Sequence, residues 1–258
     1  MPVATFKRPP VGEVSFGLAF APLTTFKVAH YGAFWDLIRK DYPECDDKSQ
    51  FFDAAHPPMM YEGWFPLPRV WYLHRNRNYL IQLQPNRIWL NWRRLNEAEE
   101  YPRFEALLPI FQDTVTQFIE FARANNIGNV VATGGELSYV NHVPAGEVGA
   151  AYSDFGEFMM DVRWSEGRKT LPAPGGIAWR TEFNVGGDSL SIDLKSGRER
   201  AGAQRPLYIL EIRTSTNLAP AFAENSFDWF NKANKLIVEA FCEVTTQKAQ
   251  REYWHRID

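Results

Sequence analysis

Charged side chains recur on several stretches of this 258-residue chain that alternate like β-strands, and their types suit phosphate and metal chemistry. Arg180, Lys195 and Arg213 can hold phosphate oxygens through charge-assisted hydrogen bonds. Glu136, Glu182 and Glu211 can coordinate Mg²⁺ with hard oxygen ligands, or one of them can act as a general base. If the sheet that carries them curls, the six converge into a charged cup for a nucleotide or another phosphorylated small molecule. If it stays flat, alternate strand positions face water and pair across strands, which is the commoner outcome for a half-exposed antiparallel sheet.

A second set lies in "YLIQLQPNRIWLNWRR", Tyr79 to Arg94. Two strands joined at Pro85-Asn86 place Leu83 opposite Ile88, Ile81 opposite Leu90 and Tyr79 opposite Trp92 on one oily face. The other face carries Gln82, Gln84, Arg87, Trp89, Asn91 and Arg93, which supply amide donors and acceptors, guanidinium groups and a stacking plane. A merely wet sheet face favours Lys, Glu and Thr, so this face reads as a contact surface. Its counterpart is either a second layer of the same chain or a partner. Trp and Arg dominate binding hot spots, which makes Trp89 and Arg87 the expected anchors.

Other chemistries lack their signatures. His30, His56, His74, His142 and His255 are far apart and none stands at a metal-ligand spacing from Cys or another His. The chain has no P-loop, dinucleotide-binding fingerprint or nucleophile elbow. Cys45 sits in acidic "ECDDK", which raises a thiol pKa rather than lowering it. "WFPLPRVWYLHRNR" interleaves aromatic and basic residues as single-stranded nucleic-acid surfaces do, but a formal net charge of −3 gives no overall attraction to polyanions.

The elements that must position these residues follow from periodicity. Glu13–Phe20 alternates as a strand, and Phe34, Leu37 and Ile38 mark a helix that Pro43 ends. After the hairpin, a long apolar stripe from Phe104 to Ala122 predicts a helix over about 102–125, bent or split at Pro109. Val130–Val143 reads as a strand with a bulge at Gly134-Gly135. A short helix capped by Ser153 and carrying Phe155, Phe158 and Met159 comes next. The stretch from Ile177 to Thr216 then predicts three antiparallel strands with a turn at Gly186-Gly187-Asp188. A last long helix starts near Asn225, capped through Asn225 and Asp228, and a final short helix near Trp254 is capped by Thr245 or Thr246. The expected fold is α+β, a mainly antiparallel sheet with packed helices. Its order is β-α-β-β-α-β, then α, then β-β-β-α, and the first block is ferredoxin-like in element order. One domain over 1–258 is expected, with a sub-domain boundary near 171–176 at "LPAPGG".

An apolar share of 45% with 23% charged residues is that of a globular chain, and nine Trp point to large flat side chains in a core or contact surface. Two isolated cysteines suit a reducing compartment. No secretory h-region or bilayer-length apolar run is present, so the expected location is the cytoplasm.

Several segments resemble one family: "GEVSFGLAF" with the following "PL", "FWDLIRKDYP", "LIQLQPNRIWLNWRR", "YPRFEALLPIF" and "GGELSYVNHV". In that order and spacing they resemble the sporadically distributed conserved hypothetical family of bacteria and archaea. Pro85 departs from the more acidic or Gly-like turn expected there. The resemblance implies a patchily distributed prokaryotic gene of the kind found in phage defence or toxin–antitoxin modules, and it brings no catalytic residues with it. The resulting expectation is a non-enzymatic interaction protein. It binds a protein partner, one encoded beside it, through Gln82, Gln84, Arg87, Trp89, Asn91 and Arg93, and the same aromatic surface allows a homodimer. The alternative is an enzyme or sensor taking a phosphorylated ligand, with Mg²⁺, in the cup of Glu136, Arg180, Glu182, Lys195, Glu211 and Arg213. No cofactor or metal belongs to the first expectation, and neither membrane nor nucleic acid is an expected partner of either.

Overall fold

The structure, a computed structural model, describes residues 4–51, 67–96, 98–145, 154–165, 167, 169–198, 205–217 and 226–258. The expected caps at Ser153 and Asn225 lie outside them. Nine strands among the described residues hydrogen-bond into one sheet. They are β1 (Val11–Phe20), β2 (Glu44–Lys48), β3 (Arg69–Leu73), β4 (Tyr79–Gln84), β5 (Arg87–Arg93), β6 (Ala132–Pro144), β7 (Ala178–Val185), β8 (Asp188–Arg198) and β9 (Pro206–Asn217). The order across the sheet is β2-β3-β4-β5-β1-β6-β9-β8-β7. The pairs β2–β3, β3–β4, β4–β5, β7–β8 and β8–β9 run antiparallel. Among the described residues three α-helices accompany them: α1 (Val28–Ile38), α2 (Phe104–Ala124) and α3 (Ser226–Val244). The fold is therefore α+β with a large antiparallel sheet. Among the described residues no helix is long and apolar enough to cross a membrane.

The element order differs from the expected β-α-β-β-α-β, because four strands rather than two separate α1 from α2. Sequence periodicity misses β2, since "ECDDK" is polar throughout and almost wholly exposed. It forms because each of its residues pairs with β3, from Glu44 with Leu73 to Lys48 with Arg69. Backbone pairing, not burial of side chains, makes this strand. The ferredoxin-like reading of the first block goes with the missing strands.

The chain divides into two compact units, one of residues 14–137 and 216–230, the other of residues 1–13, 138–215 and 231–258. Leu171–Gly176 falls inside the second of these.

In the first unit, β1 and β3–β5 turn one apolar face toward α1 and α2. Leu83 pairs with Ile88 and Ile81 with Leu90, as the hairpin pattern predicts. On that face Phe118 of α2 is fully buried, its ring 5.5 Å from those of Phe20 and Phe34. Phe16 stacks between Phe104 and Phe111 at 5.7 and 5.4 Å. Pro109 leaves α2 as one unbroken helix of 21 residues. In α1 the buried side chains are Tyr31, Phe34 and Ile38, whereas Leu37, expected on that face, is exposed. At Gly135 a Cβ would stand 2.9 Å from the Trp229 ring, so this glycine serves close approach to the strand.

The second unit is built on the β7–β8–β9 meander. Gly186 and Gly187 connect β7 to β8 with φ of 63° and 95°, two positive values that suit a two-residue hairpin turn of the primed kind. Leu194 pairs with Leu210 and Ile192 with Ile212 on the buried face, where Phe158 packs against Tyr208 at 5.0 Å. After α3, the Thr246 hydroxyl accepts from the Ala249 amide at 3.2 Å, the cap expected for the last short helix. That helix is a π-turn over Ala249–Tyr253.

Candidate functional site

Two groups of polar side chains stand out, one in each unit. In the second unit, strand register decides which charges meet. Arg180 lies opposite Asp193, and Asp193 opposite Glu211. One step along, Glu182 lies opposite Ser191, and Ser191 opposite Arg213. Because side chains alternate, these residues all project from the face opposite Leu194 and Ile212. Of these, Arg180, Asp193, Glu211 and Arg213 border an open cavity of about 370 Å³ that Trp179 and Lys195 also line.

Ion pairs organise this cavity. Arg180 Nη2 donates to Glu182 Oε1 at 2.7 Å and Nη1 to Asp193 Oδ1 at 3.1 Å. Arg213 Nη2 donates to Glu211 Oε1 at 2.6 Å, and the Ser138 hydroxyl donates to the same oxygen at 2.8 Å. Burial pushes the Glu211 carboxyl up, but Arg213, Ser138 and Lys195 together outweigh it and hold the group below the ordinary range. Glu211 is thereby fixed as an anion.

Four of the six residues expected in a charged cup line this cavity: Arg180, Lys195, Glu211 and Arg213. Glu182 is not among the lining residues but pairs with Arg180, and Glu136 is not among them either. Among the described residues no three His, Cys, Asp or Glu side chains are grouped to hold a metal ion. Ser138 and Trp179 were not legible as members, since Ser138 enters only through the pairing of distant strands.

In the first unit, Gln82, Gln84, Arg87, Trp89 and Asn91 are buried and Arg93 is half-buried. A chain of hydrogen bonds links the amides Gln82, Gln84 and Asn91 to their surroundings. Trp71 Nε1 donates to Gln82 Oε1 at 2.8 Å, and Gln82 Nε2 donates to Asn91 Oδ1 at 2.7 Å. Gln84 exchanges two hydrogen bonds with the Phe51 backbone and donates to Asn86 Oδ1. Buried amides without such partners would be costly, so this network is what permits a polar layer here. The Arg87 guanidinium lies over Phe51 at 5.4 Å and over Trp89 at 5.8 Å. At the margin of the layer half-buried Trp71 has Lys48, Arg69 and Arg93 over its ring at 5.0, 5.7 and 5.9 Å. Phe51 and Trp71 were missed from sequence; Trp71 becomes a candidate only once β3 is known to pair with β4.

No known protein-family model matches the chain, and no curated protein is similar to it.

Proposed function

We propose that this chain is a binding protein and that the β7–β9 cavity takes an anionic, phosphate-bearing small molecule. The observation that carries the reading is the placement of Arg180, Lys195 and Arg213 around one open cavity beside Trp179. Arg180 and Arg213 are oriented by the carboxylates they already bind, and Lys195 is exposed at the rim, with no such bridge among the described residues. An incoming phosphate would exchange with the bridges of exposed Arg180, which are weak in water. The role favoured is sensing or carriage rather than catalysis. A general base works best with a pKa near the working pH, and Glu211 is held in the opposite direction. The reading places the chain in the cytoplasm, in keeping with the free thiols of Cys45 and Cys242.

Titration with ATP, with and without Mg²⁺, tests it by calorimetry and melting. Saturable heat and a rise in Tm are expected, with affinity falling roughly tenfold in Lys195→Ala. No heat and no shift for ATP would sink the reading.

A second reading keeps the protein partner, encoded in a neighbouring defence or toxin–antitoxin gene, at the Trp71 margin of the first unit. It is favoured by the three cations over that half-buried indole, a hot-spot type of arrangement. Purification from the native host with neighbouring genes intact separates the two. A stoichiometric protein lost on Trp71→Ala supports the partner; a chain that arrives with a small molecule alone supports the cavity.

A further inference from the structure

Among the described residues, β7 is the last strand at its end of the sheet. Six of its eight residues are exposed, including Phe183 at 47% and Val185 at 40%. Natural edges are usually blunted by lysine, proline, a bulge or a covering segment. β7 contains neither Lys nor Pro, and its pairing with β8 runs without interruption from Ala178–Lys195 to Val185–Asp188. The outer backbone of an unblunted strand is a template for another strand.

We infer that β7 pairs with β7 of a second copy, antiparallel and centred on Thr181, to give a two-fold symmetric dimer. This inference does not rest on the ligand proposed for the cavity, although Arg180 belongs to both the cavity and this edge. The Ile177 carbonyl accepts from the Ser196 amide, so the odd-numbered backbone groups of this strand face β8. The even-numbered ones, at Ala178, Arg180, Glu182 and Asn184, face outward, because pairing alternates along an antiparallel strand. A second β7 must therefore match even residues to even residues.

Among those registers the charges choose one. Centring on Arg180 puts Arg180 against its own copy, and centring on Glu182 does the same with Glu182. Like charges directly opposite one another are destabilising. Centring on Thr181 sets Arg180 opposite Glu182 of the second copy and Glu182 opposite its Arg180. The same register sets Trp179 against Phe183, an aromatic cross-strand pair, and Ala178 against Asn184. Arg180 and Glu182 already bridge within one strand at 58% and 62% exposure, so partner exchange alters little in their solvation. A two-fold axis requires such a self-complementary patch. A single strand pair is smaller than a standard interface, so dissociation in roughly the micromolar range is expected.

The test is sedimentation across a concentration series, with variants that read the register. Wild type should move from 29.7 kDa toward twice that mass as concentration rises. Glu182→Arg and Arg180→Glu should each weaken the dimer by about tenfold or more, and the charge-swapped double variant should restore it. Thr181→Cys in a Cys45→Ser background should form an intermolecular disulfide on mild oxidation. Directly opposed, non-hydrogen-bonded strand residues bring their Cα atoms to about 4.5 Å, within disulfide reach. Circular dichroism melting confirms that each variant is folded. A monomer at every concentration overturns the inference, as does a dimer that ignores both charge variants and gives no Thr181→Cys crosslink.

Discussion

Gly17→Ala tests whether the polar layer of the first unit is as tightly packed as its geometry implies. Gly17 lies in β1, and a Cβ built there would stand 2.7 Å from both Cδ1 and Nε1 of Trp89. Ordinary contact begins near 3.5 Å, so the ring must retreat by roughly 0.8 Å. Retreat is obstructed. Trp89 is buried, meets Phe51 edge-on at 6.0 Å and lies beneath Arg87. Overpacking of this kind costs about 1–3 kcal/mol, while replacing a strand glycine by alanine returns about 0.5–1 kcal/mol of backbone entropy. The net loss is then roughly 0–2.5 kcal/mol, centred near 1. For a chain of this size that centre corresponds to a Tm lowered by about 2–4 °C. The decisive comparison is a double-mutant cycle with Trp89→Leu, followed by circular dichroism in urea and on heating. With the indole gone, Gly17→Ala should become neutral or stabilising, giving a coupling of about 1–3 kcal/mol. Should the same penalty persist in the Trp89→Leu background, Trp89 is not the obstacle and the account of the layer fails.

Two further outcomes follow from single groups. Glu211 has a folded-state pKa below the ordinary range, so its contribution to stability is complete above the unfolded glutamate pKa and is lost as pH falls through the lowered one. Glu211→Gln should therefore flatten the acid limb of a stability-versus-pH curve relative to wild type, and an unchanged acid limb would show that Arg213 and Ser138 do not favour the anion. Gln250 is fully buried; its amide donates to the Cys242 and Thr245 carbonyls and its Oε1 accepts from Arg256 Nη1 at 2.8 Å. Gln250→Ala strands those groups and should cost about 1–3 kcal/mol, read as a lower urea midpoint, whereas an unchanged midpoint would mean that water replaces the amide without loss.

The parts of this fold that were legible in the sequence are those in which local geometry and burial agree. The β4–β5 hairpin has a two-residue connection and a strict period of two, so the register follows from the pattern alone. The β7–β8 hairpin was legible too, except that Asp188, expected in the turn, pairs with Val185, because Gly186 and Gly187 alone supply the positive φ values of a tight turn. β2 was illegible because nothing apolar marks it; only the presence of β3 makes it a strand. The charged cavity was half legible. Strand alternation puts Arg180, Lys195, Glu211 and Arg213 on one face, but which carboxylates share it depends on the order of strands across the sheet. That order brings Asp193 between Arg180 and Glu211, whereas it leaves Glu136 outside the lining. The burial of Gln82, Gln84 and Asn91 was likewise undecidable from types alone, since a hydrogen-bonded amide ladder is equally at home inside a protein or against a partner.

The position of β1 in the sheet also bears on how the chain is made. It precedes β5 and β6 in the chain, yet these are its neighbours in the finished sheet. The segment "VSFGLAF" must therefore wait, both edges open, until Arg87–Arg93 has been synthesised, and its second edge stays open until Ala132–Pro144 follows. The β4–β5 and β7–β8 hairpins face no such delay, because each can close within microseconds of its own completion. An apolar strand held without partners during translation is a natural point of capture for chaperones and of misassociation between nascent chains. A strand that is almost wholly buried in the folded protein thus passes through part of synthesis without its sheet neighbours.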